Sequence, residues 1–264
     1  LSAPLNIHCD HSDAMGARDS GWIQLWSENA QEAYDNLIQA FRIAEHPAIR
    51  LPVMVCFDGF IISHSIGRME YLPDEVVGRF VGEFTPQHPL LDIEHPVSYG
   101  PLILTDQYHE YKKVQHDVMA GVAPIVEKVA AEFQTISGRQ YGLFEAYRLE
   151  DADVGIVIVN SAAGTAKDAV DEARSRGIKV GLLKPRLFRP FPYAQIAGAL
   201  KHLKAVCVLD RVDSFGAYGP LYAEIAASLY ALDQRPQLIN RIYGLGGRDF
   251  LPRDAQEVIE ETAG

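Results

Sequence analysis

His8, Cys9, Asp10, His11, Ser12 and Asp13 form the densest run of polar, titratable side chains in the sequence. A turn of small residues around a single arginine, Gly16-Ala17-Arg18-Asp19-Ser20-Gly21, follows at once. A planar guanidinium can grip a carboxylate through two parallel hydrogen bonds, so Arg18 is the candidate anchor for a carboxylate-bearing substrate. The competing reading is an ordinary surface pair of Arg18 with Asp13 or Asp19. Two histidines and two aspartates this close invite a metal site. Yet tetrahedral sites usually draw ligands from separated segments, so a hydrogen-bonded loop is the preferred reading and no metal ligand is assigned. A second polar point, Asp58-Gly59-Phe60 with Ser63-His64, follows an apolar run. Asp58 and His64 could serve as an acid–base pair; an Asp-Gly turn explains the same residues without chemistry.

Three further polar turns lie in the second half: Lys184-Pro185-Arg186, Asp210-Arg211-Val212-Asp213 running into Gly216 and Gly219, and Gly244-Leu245-Gly246-Gly247-Arg248. Glycine-rich turns suit anions and close backbone packing alike, and packing against a neighbour is preferred here. The sequence has no G-x-G-x-x-G, no Walker A, no G-x-S-x-G and no zinc-protease helix, which argues against a free-standing nucleotide enzyme or hydrolase.

The elements that must position these groups follow from periodicity and punctuation. Residues 5–9 and 51–57 are strand candidates, the latter apolar on both faces as in a covered parallel sheet. Residues 30–45 repeat apolar positions at helical spacing behind a candidate N-cap, Asn29. Residues 74–84 follow Pro73 as a short helix, 85–101 form a loop, and 105–137 form a long helical connector with Pro124 as its expected joint. Strands at 153–159, 178–183, 205–210 and 237–243 alternate with helices at 166–176 (Thr165 as cap), within 191–203, after Gly219 through 232, and at 254–262. That alternation predicts an α/β fold with a mostly parallel, doubly wound sheet. Both polar clusters of the first half then lie at strand carboxyl ends, where such sheets bind ligands.

The 264 residues suit two domains, divided as 1–137 and 138–264. With a net charge of −11 and no basic stripe, the chain is no nucleic-acid binder. No apolar run reaches the roughly 20 residues of a membrane helix. Cys9, Cys56 and Cys207 stand apart in apolar stretches with no C-x-x-C, so they read as core thiols of a cytoplasmic protein without an iron–sulfur motif of its own.

Taken together, DHSDAMGARDSGW, LPVMVCFDGFIISH with LPDEVVGRFVGEF, DRVDSFGAYGPLYAE and YGLGGRD resemble the α subunit of pyruvate (2-oxoacid):ferredoxin oxidoreductases, in order and over essentially the whole sequence. The resemblance implies part of a pyrimidine-side thiamine-pyrophosphate-binding domain (1–137) followed by a transketolase C-terminal-like domain (138–264). It implies oxidative decarboxylation of a 2-oxoacid, with acyl transfer to coenzyme A and electrons passing through [4Fe-4S] clusters of partner subunits to ferredoxin. Arg18 matches the family's arginine for the substrate carboxylate. His11 and Asp13 match family positions without an assigned role, and Asp58 remains a pocket-lining candidate. The diphosphate and its Mg²⁺ would be held by a β subunit, and a second α copy is a further expected partner. A full α subunit would begin about a hundred residues earlier. That part would supply a threonine-bearing substrate turn and the glutamate that activates the aminopyrimidine, so this chain is expected to be inactive alone. Sibling 2-oxoglutarate or branched-chain 2-oxoacid enzymes, and a non-catalytic assembly subunit, are the alternatives.

Overall fold

A computed structural model describes residues 4–264. In chain order it runs α1 (Ser12–Gly16), β1 (Ile23–Trp26), α2 (Ala30–Ala44), β2 (Val53–Cys56), α3 (Asp74–Val81), α4 (Tyr108–Ala120), α5 (Val122–Ser137) and β3 (Phe144–Tyr147). It continues through β4 (Val154–Val157), α6 (Ala162–Ser175), β5 (Val180–Pro185), β6 (Leu187–Arg189), α7 (Tyr193–Leu200), β7 (Ala205–Asp210), α8 (Pro220–Leu229), β8 (Gln237–Ile242) and α9 (Pro252–Ala263). Two sheets result, ordered β2-β1-β6 and β3-β5-β4-β7-β8.

The larger sheet is parallel across β5, β4, β7 and β8, with β3 antiparallel at its edge. Its strands are apolar on both faces because both are covered. Ile156 and Cys207 face the alanine-rich stripe of α6 and Ile259 of α9. Val157 and Val208 face Ile196 of α7 and Ile225 of α8. The fold is thus the doubly wound α/β arrangement that the strand–helix alternation predicts. In the smaller sheet β1 pairs parallel with β2 and antiparallel with β6. Ile23 and Leu25 pack there against Ile38, Ile43, Phe80 and Phe133. Since β6 follows β5 after one residue, the chain passes from one sheet into the other at Arg186.

Polar side chains hold that seam. Lys184, buried, gives its ammonium to Glu28 and Glu32 at 2.6 Å each and to Glu145 at 2.8 Å. Arg186, also buried, donates to Asn36 Oδ1 at 2.7 Å, Gln39 Oε1 at 2.9 Å and the Gly142 carbonyl at 3.2 Å. Burial among neutral partners pulls its guanidinium down to about 10. Charged groups stay inside only when such partners replace the lost water.

Several elements differ from expectation. Residues 5–9 form no strand: Leu5 and Ile7 are largely exposed and find no partner strand. The 105–137 connector is two helices broken at Gly121, and Pro124 sits in the first turn of α5, where its missing N–H costs nothing. The helix expected from 166 begins at Ala162, ahead of Thr165. Asn29 caps α2 as expected, its side chain accepting from the Glu32 amide. Strands β1, β3 and β6 are found where no strand was expected.

Candidate active site

A cavity of about 610 Å³ opens where the carboxyl ends of β1 and β2 meet the 5–14 loop. Trp26, Met54 and Val55 form its apolar wall, and Asp10, Asp13 and Asp58 its acidic one. Asn160, just before α6, joins the lining from the second half.

Asp58 is the buried centre of the site, 1% exposed. One carboxylate oxygen lies 2.9 Å from His11 Nε2. The other accepts from the Ser161 amide at 3.1 Å, from the Ser161 hydroxyl, and from Arg211 Nη1 at 3.3 Å. Burial alone would push this carboxyl up; His11, Ser161 and Arg211 outweigh it and hold it below the ordinary aspartate value. It therefore stays ionised. Ser161 opens α6, so the carboxylate also meets that helix's unsatisfied amides and positive end. Arg211 is itself buried, donates from Nε to the Gly244 carbonyl at 3.0 Å and lies over the Tyr243 ring. Nearby, burial and the Asp58 charge push the Cys9 thiol up to about 11.

The predicted residues fall into place unevenly. His11, Asp13 and Asp58 all line the cavity. His11 is buried with its ring edge on Trp26 at 4.8 Å. Asp13 is exposed and accepts from the Ala14 amide at 2.6 Å. Arg18 follows α1 outside the cavity lining; Nη1 donates to the Met15 carbonyl at 2.7 Å and Nε lies 3.6 Å from Asp19. Nη2 of Arg18 has no hydrogen bond among the described residues. His64 does not meet Asp58: it bonds Ser63 and stacks on Phe60. The acidic trio Glu28, Glu32 and Glu145, which lies close enough to hold an ion, is filled by the ammonium groups of Lys184 and Lys167.

Sequence reasoning gave Arg211 only as part of a polar turn, and Ser161 and Asn160 no role in a site. The one available signal was an aspartate–arginine pair ending the wholly apolar run AVCVL, where a charge has to find a buried partner. Asp210 turns away from the cavity and accepts from the Leu221 and Tyr222 amides at the start of α8.

The lining states what it can accept. Among the described residues it contains no lysine or arginine, so a diphosphate has no counter-charge from them there. An aromatic, cationic ring suits it: apolar contact from Trp26 and Met54, and carboxylates alongside. Trp26 Nε1 and Asn160 Oδ1 are buried with no hydrogen-bond partner among the described residues, leaving a donor and an acceptor unmatched in the lining.

Residues 1–131 match the family model described as "Pyruvate flavodoxin/ferredoxin oxidoreductase, thiamine diP-bdg", and 152–255 the one described as "Pyruvate:ferredoxin oxidoreductase core domain II". The chain is 51% identical over 262 residues to pyruvate synthase subunit PorA of Thermotoga maritima, covering 99% of this chain and 67% of that protein. It is 41% identical to PorA of Methanosarcina barkeri, covering 99% and 65%. It is 35% identical to ketoisovalerate oxidoreductase subunit VorA of Pyrococcus horikoshii, covering 99% and 66%. The chain thus spans about two thirds of the length of these relatives. A solved 2-oxoglutarate:ferredoxin oxidoreductase from Magnetococcus marinus shares the fold, with a TM-score of 0.63 at 16% identity over 99% of this chain and 46% of that one.

Proposed function

The chain belongs to the pyruvate:ferredoxin oxidoreductase family, and from that premise we propose that it is the α subunit, or the matching piece, of a 2-oxoacid:ferredoxin oxidoreductase acting on pyruvate. The observation that carries the reading is the cavity itself. It is acidic and aromatic, has no group for a diphosphate, and lies within the stretch matched to a thiamine-binding model. The choice of pyruvate over a branched-chain 2-oxoacid rests on 51% identity to a pyruvate synthase subunit against 35% to a ketoisovalerate enzyme.

Thiamine pyrophosphate, when bound, would supply the carbanion and electron sink that decarboxylation of a 2-oxoacid requires. Its ring end would meet Trp26, Met54, Asp13 and Asp58. The diphosphate and Mg²⁺ would fall to a β subunit, which also accounts for the missing basic lining. Coenzyme A as acyl acceptor, [4Fe-4S] clusters in further subunits, a second α copy and ferredoxin complete the proposed assembly. A cytoplasmic setting suits a chain whose described residues include no helix long and apolar enough to cross a membrane. Residues 1–137 and 138–264 would act as the two working units, meeting at Asp58.

Within this reading Arg18 holds the substrate carboxylate. Its guanidinium is one-third exposed and spends one short bond on a backbone carbonyl, so it can turn to a carboxylate without breaking a buried pair. In the complex with its partner subunits, Arg18→Ala should raise the KM for pyruvate by roughly 1–3 kcal/mol of lost charge-assisted bonding, with little change in coenzyme A dependence. Unchanged pyruvate kinetics would dismiss the role. Failure of the wild-type complex to turn over any 2-oxoacid would dismiss the activity.

A further inference from the structure

We propose that residues 84–114, an arm of chain and the first half of α4, are a docking surface for a different protein chain, one with an apolar groove rimmed by lysine and arginine. The β subunit of the proposed assembly is the chain that fits, and the inference rests on that reading for the partner's identity.

The arm is neither core nor solvated linker. Residues 82–107 contain no helix and no strand, and connections longer than about 12–15 residues without secondary structure are usually functional or disordered. A disordered linker is poor in large apolar side chains. Within residues 84–114 ten of them are more than half exposed, among them Leu91 at 90%, Leu102 at 89% and Ile93 at 86%. Together they offer on the order of 1,000 Å² of apolar surface, beyond the roughly 300–600 Å² of the largest patch on a typical monomer and comparable to the ~800 Å² that each partner gives to a stable interface. The arm is tied down all the same. Arg50 lies over the Phe84 ring and donates from Nη2 to the Thr85 carbonyl at 3.0 Å. The Tyr99 hydroxyl donates to the His88 carbonyl at 2.5 Å, and the Asp92 amide to the Pro89 carbonyl at 3.1 Å.

Helix α4 continues the same surface. None of its 13 residues is buried, and an unpacked helix of that length is marginal in water. Its Tyr108, Tyr111 and Val114 share a face with Gln115, Val118 and Met119. The last three are partly covered, with Gln115 lying on Gly21 just ahead of β1, whereas the first three stand in solvent. Half of the helix's apolar face is thus packed by this chain and half awaits another. Exposed tyrosines among aliphatic side chains match the makeup of protein interfaces.

Charge decides what covers it. Between residues 83 and 117 six carboxylates stand against two lysines and no arginine. Asp92 pairs with His95 and Asp117 with Lys113, but Glu94, Asp106 and Glu110 form no ion pair among the described residues. A two-fold contact would set this patch on itself, acid against acid. An anionic lipid surface would be repelled in the same way. A chain with a cationic rim gains from all three carboxylates. The β subunit is also the chain that would bring positive charge to the diphosphate.

The test co-expresses the full chain with the β subunit and compares four variants: Leu91→Asp, Leu102→Asp, Glu110→Lys, and Glu172→Lys as a control of equal charge change on α6 in the other half. All four positions are exposed, and an unchanged urea midpoint confirms the fold. Leu91→Asp and Leu102→Asp should each weaken binding of the β subunit about tenfold or more. Glu110→Lys should weaken it and flatten its dependence on salt, while Glu172→Lys leaves both unchanged. Amide exchange across residues 84–114 should slow in the complex. A complex that forms with that exchange unchanged, or that tolerates both aspartates, overturns the proposal. A dimer of the chain alone that Leu102→Asp dissociates also overturns it, by making the occupant a second copy, and so does failure of the wild-type pair to associate. If the pair associates through residues 84–114 but the whole complex turns over no 2-oxoacid, the functional reading fails and the docking surface stands.

Discussion

Replacing Lys184 by methionine removes one cation from between three carboxylates, and the consequence can be worked out with its sign. Burial alone would pull the Lys184 ammonium below the usual lysine range; Glu32, Glu28 and Glu145 together hold it above that range. Glu145 is pushed up by burial but held below its ordinary value by Lys184 and Lys167. A raised lysine contributes stability that is complete below its unfolded value of about 10.4 and lost only on going further alkaline. A depressed glutamate contributes stability that is complete above about 4.3 and lost as pH falls below it. The wild-type network is therefore intact at both pH 7 and pH 5. In Lys184→Met the carboxylate oxygens, all within 4.8 Å of one another, keep only Lys167 between them. Two like charges at that spacing repel by roughly 3.5 kcal/mol at an effective dielectric of about 20, less for Glu145, whose side chain is 40% exposed and screened. Breaking a buried pair from one side costs about 3–5 kcal/mol, and that is the expected loss at pH 7 in urea unfolding. Protonation relieves repulsion among unpaired carboxylates, so the loss should shrink by about 1 kcal/mol or more at pH 5. An equal loss at both pH values, or one below about 1 kcal/mol at pH 7, would show that the trio is not held by this lysine.

Two smaller predictions come from the packing. Gly181→Ala places a Cβ 2.6 Å from the Arg148 carbonyl oxygen and the Leu149 Cα, backbone atoms that cannot swing aside, and should cost about 1–3 kcal/mol; Gly198→Ala, on an exposed turn of α7 with nothing within 4 Å, should gain up to about 1 kcal/mol, both read by urea unfolding. Burial pushes the Cys56 and Cys207 thiols up to about 12 and Cys9 to about 11, so a disulfide reagent at pH 8 should find no fast thiol in the folded chain and three after denaturation; one rapid equivalent in the native protein would contradict the packing around them.

Most of the second half was readable from the sequence because its elements obey local rules; its edge strand β3 and the three-residue β6 were not. Residues 205–210 are an uninterrupted apolar strand, and Gly177 ends α6 at a φ of 90°, as a helix stop requires. The first half was harder because its strands are set by partners far along the chain. β1 is only four residues, its Trp22 neighbour reads as part of the polar loop, and its pairing with β6 joins Leu25 to Leu187, a contact no local pattern announces. Residues 5–9 fail in the opposite way: the pattern suits a strand, but no edge lies beside it and the glycine turn lies there instead. The site divides along the same line. His11, Asp13 and Asp58 were visible as a dense polar run and as a charge closing an apolar stretch. Arg211 was not, because its meaning comes from Asp58, 153 positions away.

That separation bears on how the two halves must fold together. At the seam the acids come from the first half and the bases from the second: Glu28 and Glu32 with Lys167 and Lys184, Asp19 with Arg189, Asp58 with Arg211. The apolar contact is shared as well, with Met15, Trp26 and Cys56 packed in one core with Phe188 and Val208. Residues 138–264 folded alone would leave Lys184 with Glu145 only and Arg211 without Asp58, a loss of several kcal/mol that is a large part of the margin by which a domain is stable. The unit that folds is therefore the unit that holds the cavity. The ion pair that closes the seam is the same one that ties down His11, so docking of the halves and placement of the loop that carries His11 are a single event.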